Sequence, residues 1–376
     1  MSALGVGIFI IALLLMILIH EAGHFFTAKW FGIKVEEFFV GFGPRLWSTK
    51  RGETEYGIKA LPLGGYVRIA GMNPFQEPAP EDLPRTFGAK PPWQRAIVLV
   101  AGSLTHFLLA IILLWSFFAF VGVPVFGRPT VSQVEPTLAG RPSPAATAGL
   151  EEGDVVLEAN GEPVGSTEEL IAITRESVGR EMTLVVRRSG ERVTVRATPV
   201  LDTIAGEEVA RLGIVLSRDV VGRDTENPFV AAGRAAATTG EITVRSFQAL
   251  GQIFSPEGIG RIGALITGSE QRSVQDPAGI VGAGRLAGQA ASSGNLDILL
   301  GFLAALNVFV GILNILPLPP LDGGHLAVLA FEKATGKAVD VRRLIPLTAV
   351  VAGLLILLML SLTYLDVVSP IPNPFR

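Results

Sequence analysis

The amino-acid sequence predicts a polytopic α-helical membrane protein with four transmembrane helices, a membrane-associated β-loop and one extracytoplasmic α+β domain. Of the 376 residues, 49% are hydrophobic and only 17% are charged, a composition too apolar for an ordinary soluble enzyme. The apolar residues are concentrated in four nearly uncharged runs, each close to the ~20 residues that cross about 30 Å of hydrocarbon as a helix. The four runs cover residues 3–19, 96–126, 298–316 and 344–365.

The first transmembrane helix is assigned to residues 1–30. A secretory signal peptide is the alternative for so early an apolar run, but residues 1–19 contain no Lys or Arg. The positively charged start of a signal peptide is therefore missing, and no small-residue cleavage site follows the run. We expect an uncleaved helix.

Residues 31–94 are predicted to form a β-hairpin loop on the cytoplasmic side of the membrane. Apolar and aromatic residues between positions 35 and 72 are separated by turn signals at 41–44, 50–53 and 62–65. This pattern is typical of short strands in one or two hairpins, with an edge that can lie in the membrane interface. A proline-rich stretch then leads into the second span, assigned to residues 95–126.

Residues 127–220 have the signals of a small folded domain. Asn160 and Gly161 form the dipeptide of a tight hairpin turn. Ser166 and Glu169 have the spacing of a capping box, which predicts the start of an amphipathic helix over residues 166–178. A last strand is predicted in RLGIVLS, and the order of these elements indicates a small mixed α+β domain.

The rest of the chain follows from the other apolar runs. We predict an extracytoplasmic helical or loop region at 221–297, a third span at 298–322, a cytoplasmic loop at 323–343, a fourth span at 344–367 and a tail at 368–376.

Positive charge gives the predicted orientation. Ten Lys and Arg residues lie at positions 29–95 and four at positions 333–343, whereas the N-terminal run has none. Because Lys and Arg are retained on the cytoplasmic side, both loops are expected to be cytoplasmic and both termini extracytoplasmic. The chain has no cysteine, which excludes disulfides, and no basic cluster, which argues against a nucleic-acid partner.

The first span contains the sequence HEAGH, which is unusual for a lipid-embedded helix. His20 and His24 are four residues apart and therefore share one helix face, with Glu21 next to the first of them. In the H-E-x-x-H arrangement two imidazoles bind zinc and the glutamate is a general base. Zinc needs a third protein ligand, and Asp322 of LDGGH, at the end of the third span, is the candidate.

The predicted topology makes this ligand set possible. The first and third spans both run from outside to inside, so His20 and Asp322 come to a similar depth near the cytoplasmic face. A structural alternative is that these polar residues only hold helices together. It suits His106 and His325 better, because a single histidine more often packs between helices or supports a ligand than binds a metal.

The motifs together resemble the site-2 protease family of intramembrane zinc metalloproteases, in its bacterial RseP-like, PDZ-containing branch. The resemblance rests on HEAGH, GFGPRLWS, LPLGGYVRIAGM, the segment GLEEGDVVLEANGEPV, which looks like part of a PDZ domain, and NILPLPPLDGGH. It covers nearly the whole chain in the same order. It implies one Zn²⁺ ion, an inner-membrane location in a bacterium, and cleavage of single-span membrane proteins such as anti-sigma factors or signal-peptide remnants.

The resemblance also implies roles for individual residues. His20, His24 and Asp322 are the expected zinc ligands and Glu21 the catalytic base. A PDZ groove between the last strand and the 166–178 helix can take an extended peptide as an added strand. The expected substrate-binding residues are Asn314, the loop glycines Gly41, Gly43, Gly64 and Gly65, and the groove residues Arg211, Leu212 and Gly213.

One motif departs from the family pattern. The second span of the family often carries A-G-P-x-x-N-F, whereas this chain has AGSLTHF, with Ser103 and His106 in place of the Pro and the Asn. Any role of that motif is therefore open here.

Two other functions remain as alternatives. One is a membrane-anchored PDZ adaptor with a vestigial metal site, which would bind no zinc. The other is an aspartyl intramembrane protease that uses Asp322 with Asp366, although the predicted topology puts these two residues at opposite membrane faces. A transporter would show a repeat of the hydropathy pattern, and the sequence has none.

Overall fold

A computed structural model of the chain describes residues 3–73, 78–138, 140–204, 207–217, 220–292, 296–337 and 339–372. The chain folds into two compact units, which are described separately. The membrane unit comprises Met1–Val121 and Glu226–Arg376, and the small domain comprises Gly122–Thr225.

The membrane unit contains the four long apolar helices that the composition predicts. Within the described residues, the segments long and apolar enough to cross a bilayer are Gly7–Trp30, Pro92–Val121, Leu296–Ile315 and Arg342–Val368. The four predicted helices are therefore present.

Helix α1 (Ala3–Trp30) is followed by strands β1 (Val35–Arg51) and β2 (Thr54–Ile69). Both strands bend, so that the antiparallel pair forms four neighbouring segments. We call this pair, residues 35–69, the β-ribbon. The order of the segments across the β-ribbon is 45–51, 54–59, 35–40 and 65–69. The segment 65–69 pairs with β1 on one side only among the described residues, and it is therefore an edge.

Helix α2 (Pro92–Ser116) begins directly after Pro91 and continues as a single π-helical turn, Phe117–Val121. Proline at a helix start is favourable because its missing N–H would have no intrahelical partner there. Gly122 has a φ of +81°, and the chain then enters a strand. The helix therefore ends five residues before the predicted limit of the second span at 126.

The small domain is built on an antiparallel sheet. Its strands lie in the order Glu191–Ala197, Met182–Arg188, Val155–Ala159, Thr130–Val134 and Ile214–Ser217, with Glu162–Pro163 beside Val155–Ala159. Helix α3 (Pro144–Ala148) and helix α4 (Thr167–Glu176) complete it. The strands are β3 (Val123–Phe126), β4 (Thr130–Val134), β5 (Thr137–Leu138), β6 (Arg141–Pro142), β7 (Val155–Ala159), β8 (Glu162–Pro163), β9 (Met182–Arg188), β10 (Glu191–Ala197), β11 (Val200–Ile204), β12 (Glu207–Arg211), β13 (Ile214–Ser217) and β14 (Val220–Asp224).

The predicted local signals of the small domain are found in the structure. Ser166 accepts a hydrogen bond from the Glu169 N–H, and the Glu169 carboxylate accepts one from the Ser166 N–H, which is the predicted capping box. Asn160 has a φ of +52° at the predicted hairpin turn. Because β3 pairs with β14, the domain extends a few residues beyond the predicted limits of 127 and 220.

After the small domain, the described residues of the membrane unit form six α-helices and a short 3₁₀ helix, Val341–Leu344. The α-helices are α5 (Pro228–Ile253), α6 (Pro256–Thr267), α7 (Ile280–Ser292), α8 (Leu296–Ile315), α9 (Asp322–Thr335) and α10 (Ile345–Val368). The segment predicted as a cytoplasmic loop, 323–343, therefore contains most of a helix, α9. Helix α8 ends at Ile315, before the predicted limit of 322, because Pro317, Pro319 and Pro320 supply no backbone N–H to continue it.

Buried side chains from α1, the β-ribbon, α2 and α9 form one hydrophobic cluster, which fixes these elements relative to one another. Its buried members are Phe25, Ala28, Ile33, Val35, Ile69, Phe87, Val98, Leu99 and Leu329. The cluster begins one residue after His24, so the predicted metal motif lies beside a packed core.

Candidate metal centre

His20, His24 and Asp322 come together in the membrane unit, although about three hundred residues separate the motifs that contain them. The Nε2 atoms of His20 and His24 are 3.2 Å apart. Oδ2 of Asp322 lies 3.4 Å from His20 Nε2 and 3.2 Å from His24 Nε2. One donor atom from each of the three residues thus faces the same point.

This spacing fits a tetrahedral zinc ion. Two atoms that bind one zinc ion at about 2.0–2.1 Å in tetrahedral geometry are about 3.3 Å apart. The three observed separations lie within 0.2 Å of that value. Two imidazoles and one carboxylate leave a fourth position for water, which is the ligand pattern of a catalytic zinc site.

The helical period of α1 positions the two histidines. Residues four apart lie one above the other on a helix, so both imidazoles point to α2. His24 is 7% exposed, and its Nδ1 lies 2.7 Å from the Val98 carbonyl oxygen of α2. Such a hydrogen bond fixes the tautomer in which Nε2 is free to bind a metal.

Gly102 of α2 lies against both imidazoles. A methyl group at this position would be 2.2 Å from His24 Nε2 and 2.7 Å from His20 Cε1. The close approach of α2 to the metal motif therefore requires glycine here.

The turn between α8 and α9 positions Asp322 at the first residue of α9. A methyl group at Gly323 would lie 2.0 Å from the Ile315 carbonyl oxygen, so the start of α9 packs directly on the end of α8. The LDGGH motif therefore supplies the carboxylate of the cluster and, next to it, the small residues that allow the tight turn.

Glu21 lies between the β-ribbon and the cluster formed by His20, His24 and Asp322, which we call the metal cluster. Its Cγ is 3.4 Å from the position that a methyl group on Gly65 would take. The Val67 backbone amide approaches the Glu21 carboxyl group. The edge segment 65–69 of the ribbon therefore runs beside the predicted base.

The other predicted substrate-binding residues are spread over both units. Gly41, Gly43 and Gly64 have positive φ values and lie where the ribbon bends. Asn314 lies half-buried in the last turn of α8.

In the small domain the structure gives the three groove residues different roles. Leu212 is 4% exposed and belongs to the domain core. The Arg211 guanidinium is 2.6 Å from Glu135 and 2.8 Å from Asp202, so two carboxylates already hold it. Gly213 has a φ of +84° and leads into β13.

Asp366 lies in a separate buried network. Its Oδ1 accepts a hydrogen bond of 2.9 Å from Arg272, and its Oδ2 accepts one of 2.6 Å from the Gly282 N–H at the start of α7. The Asp366 carboxylate therefore ties α10 to α7 and already has a full set of partners. This arrangement does not favour the alternative of an aspartyl protease that pairs it with Asp322.

Sequence reasoning missed two residues around the centre. Gly102 and Asn307 both lie within apolar runs, and Asn307, 3% exposed, contacts His106. A polar amide inside an otherwise apolar span is a signal that marks such a residue, since a buried amide needs a partner in the membrane.

Comparisons with known proteins agree with the geometry. The model of peptidase family M50 matches residues 8–360. Zinc metalloprotease Rip1 of Mycobacterium tuberculosis is 35% identical over 99% of both chains. Zinc metalloprotease Rip1 of Mycolicibacterium smegmatis is 34% identical, also over 99% of both.

One solved structure also matches part of the chain. The PDZ domain of the SdrC-like protein from Listeria monocytogenes is 22% identical, covers 24% of this chain and 90% of its own, and aligns with a TM-score of 0.21.

Proposed function

Since this chain belongs to peptidase family M50, the site-2 protease family of zinc metalloproteases, we propose that it hydrolyses peptide bonds in or near the transmembrane segments of single-span membrane proteins. The enzyme is a zinc metalloendopeptidase of the membrane. The observation that carries the proposal is the meeting of His20, His24 and Asp322 at zinc-like spacing within apolar helices.

The proposed ligands are His20, His24 and Asp322, and the proposed base is Glu21. A zinc ion held there would supply a Lewis acid, which would make water a nucleophile near pH 7 and would polarise the scissile carbonyl. Glu21 accepts the proton of the attacking water. As the carbon–oxygen bond forms and the carbon–nitrogen bond breaks, Glu21 passes that proton to the leaving amine.

The β-ribbon is proposed to hold the substrate. A transmembrane helix protects its own peptide bonds by internal hydrogen bonds, so the substrate must unwind locally before cleavage. The edge segment 65–69 runs beside Glu21, and an extended chain added to that edge would lie next to the base. Gly65 supports this role because it leaves space at the point nearest Glu21.

The ribbon also has an apolar, exposed surface that suits the membrane interface. Its members are Phe42, Leu46, Trp47, Ile58 and Leu61, each at least 45% exposed. A tryptophan such as Trp47 favours the headgroup region, and the apolar side chains beside it favour the adjoining hydrocarbon. This surface supports the proposal that the ribbon is membrane-associated.

The small domain is proposed to act as a PDZ module that binds the trimmed end of a substrate. Leu170 and Ile173 of α4 share one hydrophobic cluster with Ile214 and Leu216 of β13. Strand β13 is the end strand of the sheet, so an extended peptide can add to it. Because Arg211 is held by two carboxylates, backbone N–H groups rather than its guanidinium would bind a terminal carboxylate.

The proposed substrates are regulatory proteins such as anti-sigma factors, or signal-peptide remnants. The proposed orientation places both termini outside the cell and the metal centre toward the cytoplasmic side of a bacterial inner membrane. It rests on the distribution of Lys and Arg.

Metal content and cleavage together test the proposed roles. Purified Glu21→Gln should keep zinc and lose cleavage of a reconstituted single-span substrate, whereas Asp322→Asn should lose zinc as well. The reason is that Gln removes only the base, while Asn replaces an anionic ligand by a neutral one. Cleavage by Glu21→Gln would contradict its role as the base, and unchanged zinc in Asp322→Asn would point to another third ligand.

A further inference from the structure

His106 of α2 is a buried histidine to which the proposed mechanism gives no role. It is 2% exposed, and its ring centroid lies 5.0 Å from that of His20, with the two ring planes tilted by 33°. It is not a member of the metal cluster among the described residues.

The hydrogen bonds of Asn307 fix the tautomer of His106. The Asn307 Nδ2 donates to the Leu303 carbonyl oxygen at 2.8 Å, so its Oδ1 is the atom that lies 3.2 Å from His106 Nδ1. An amide oxygen only accepts hydrogen bonds, and Nδ1 of His106 must therefore carry the proton. In a neutral imidazole this leaves Nε2 as an acceptor.

Two nitrogens beside the metal cluster lack hydrogen-bond partners within the part of the chain that the structure describes. One is Nε2 of His106, an acceptor, and the other is Nδ1 of His20. Because Nε2 of His20 faces His24 and Asp322, its Nδ1 carries the proton when the residue binds a metal. A buried donor and a buried acceptor, each without a partner, thus lie on neighbouring rings.

His24, the other proposed histidine ligand, has a hydrogen-bond acceptor for its second ring nitrogen. His24 has a carbonyl oxygen, that of Val98, at 2.7 Å from its Nδ1. Histidines that bind a metal almost always donate the second ring N–H to such an acceptor, and loss of the acceptor typically costs about 10–100-fold in metal affinity. The Gly102 backbone of α2 also approaches His20, but Nδ1 of His20 makes no hydrogen bond of normal geometry within the described residues. His20 therefore lacks the equivalent of the Val98 contact.

We infer that His106 is that partner, a positioning residue whose Nε2 accepts a hydrogen bond from His20 Nδ1. Two imidazoles joined by a hydrogen bond of about 2.9 Å have ring centroids about 5 Å apart. The His20 and His106 rings have this separation. A chain of hydrogen bonds from Leu303 through Asn307 and His106 then orients His20. The inference rests on the proposed role of His20 as a zinc ligand.

Zinc affinity of the purified full-length protein tests this inference, measured in detergent by competition with a chromophoric chelator. His106→Phe keeps an aromatic ring but removes the acceptor, and should weaken zinc binding about 10–100-fold. His106→Gln restores an acceptor and should recover most of the affinity. Leu104→Phe, at a half-exposed position of the same helix, is the matched control and should bind as the wild type does.

The absorption spectrum of the Co²⁺-loaded protein gives a second readout, which a purely structural role would not move. It should shift in His106→Phe and return toward the wild-type spectrum in His106→Gln. Wild-type zinc affinity together with a wild-type spectrum in folded His106→Phe would overturn the inference.

A second pair of variants decides the question if His106→Phe does not fold. Asn307→Asp keeps an acceptor for His106 Nδ1 and should retain zinc affinity, whereas Asn307→Leu frees the tautomer and should weaken it. Equal affinity in these two variants would overturn the inference.

His20→Ala separates this inference from the proposed ligand set. Zinc lost in His20→Ala but unchanged in His106→Phe would overturn the role of His106 alone. Zinc retained in His20→Ala would overturn the ligand set as well.

Discussion

Gly102 shows how closely single residues constrain this centre. Any side chain there must displace the imidazoles, because even a methyl group would lie 2.2 Å from His24 Nε2. We expect Gly102→Ala to lower zinc affinity about 10–100-fold, the range found when the support of a ligand is lost. Chelator competition on the purified protein measures it.

Gly301→Ala is the control for that substitution. Gly301 also lies in an apolar helix, but a methyl group there would meet no atom within 4 Å. It should bind zinc like the wild type. Wild-type affinity in Gly102→Ala would show that the centre tolerates a larger separation of α1 and α2 than we describe.

Residue spacing made the proposed ligands predictable, but not the residues packed around them. His20 and His24 are related by one helical turn, which is a local property of the sequence, and Asp322 followed from the requirement for a third ligand. Gly102 and Asn307 could not be predicted in the same way. Their roles depend on how α2 and α8 are rotated against α1, which only tertiary packing determines.

Among the elements, the boundary between α8 and α9 is one that the hydropathy pattern alone does not predict correctly. The apolar run continues past Ile315, so hydropathy places Asp322 within the third span. The prolines end the helix earlier, and the chain turns back to start α9 at Asp322. The stop signal is in the sequence, but the direction in which α9 leaves depends on the contact of Gly323 with the end of α8.

The small domain contains a buried ion pair that gives its stability a pH dependence. Asp154 is 0% exposed and accepts hydrogen bonds from Arg188 at 2.7 and 2.8 Å and from the Glu151 N–H at 2.9 Å. Burial acts to raise the pKa of Asp154, but these hydrogen bonds outweigh it and hold the pKa below its ordinary value of 3.8. The ionised carboxylate is thus stabilised in the folded state.

The sign of the pH effect follows from that lowered pKa. The contribution of Asp154 is fully present above its ordinary pKa and is lost as the pH falls through the lower pKa of the folded domain. Asp154→Asn should therefore lower the free energy of unfolding at pH 7 by about 1–3 kcal/mol, and the difference from wild type should shrink in acid below that ordinary pKa.

Denaturant unfolding of the separately expressed domain measures that difference. The control is Glu181→Gln, which removes an exposed pair with Arg196 at 3.6 Å and should change stability little. A difference between Asp154→Asn and wild type that stays constant down to the acid limit would contradict the role of the ionised carboxylate.

For the molecule as a whole, the proposed orientation in the membrane rests on the distribution of Lys and Arg. The chain contains no cysteine, so a single introduced cysteine is the only thiol. We expect a membrane-impermeant maleimide to label Glu152→Cys, in the small domain, on intact cells. Lys337→Cys, between the third and fourth spans, should react only after permeabilisation, because the Lys and Arg distribution places it inside. The reverse pattern would invert the proposed topology.

The position of the cut in a substrate tests the central claim most directly. Wild-type enzyme in liposomes containing a single-span substrate should generate new termini within the transmembrane segment, identified by mass spectrometry. The products should disappear with a zinc chelator, return on addition of Zn²⁺, and be absent with Glu21→Gln that still contains zinc. Cuts confined to the soluble part of the substrate, or identical products from Glu21→Gln, would contradict intramembrane hydrolysis at this metal centre.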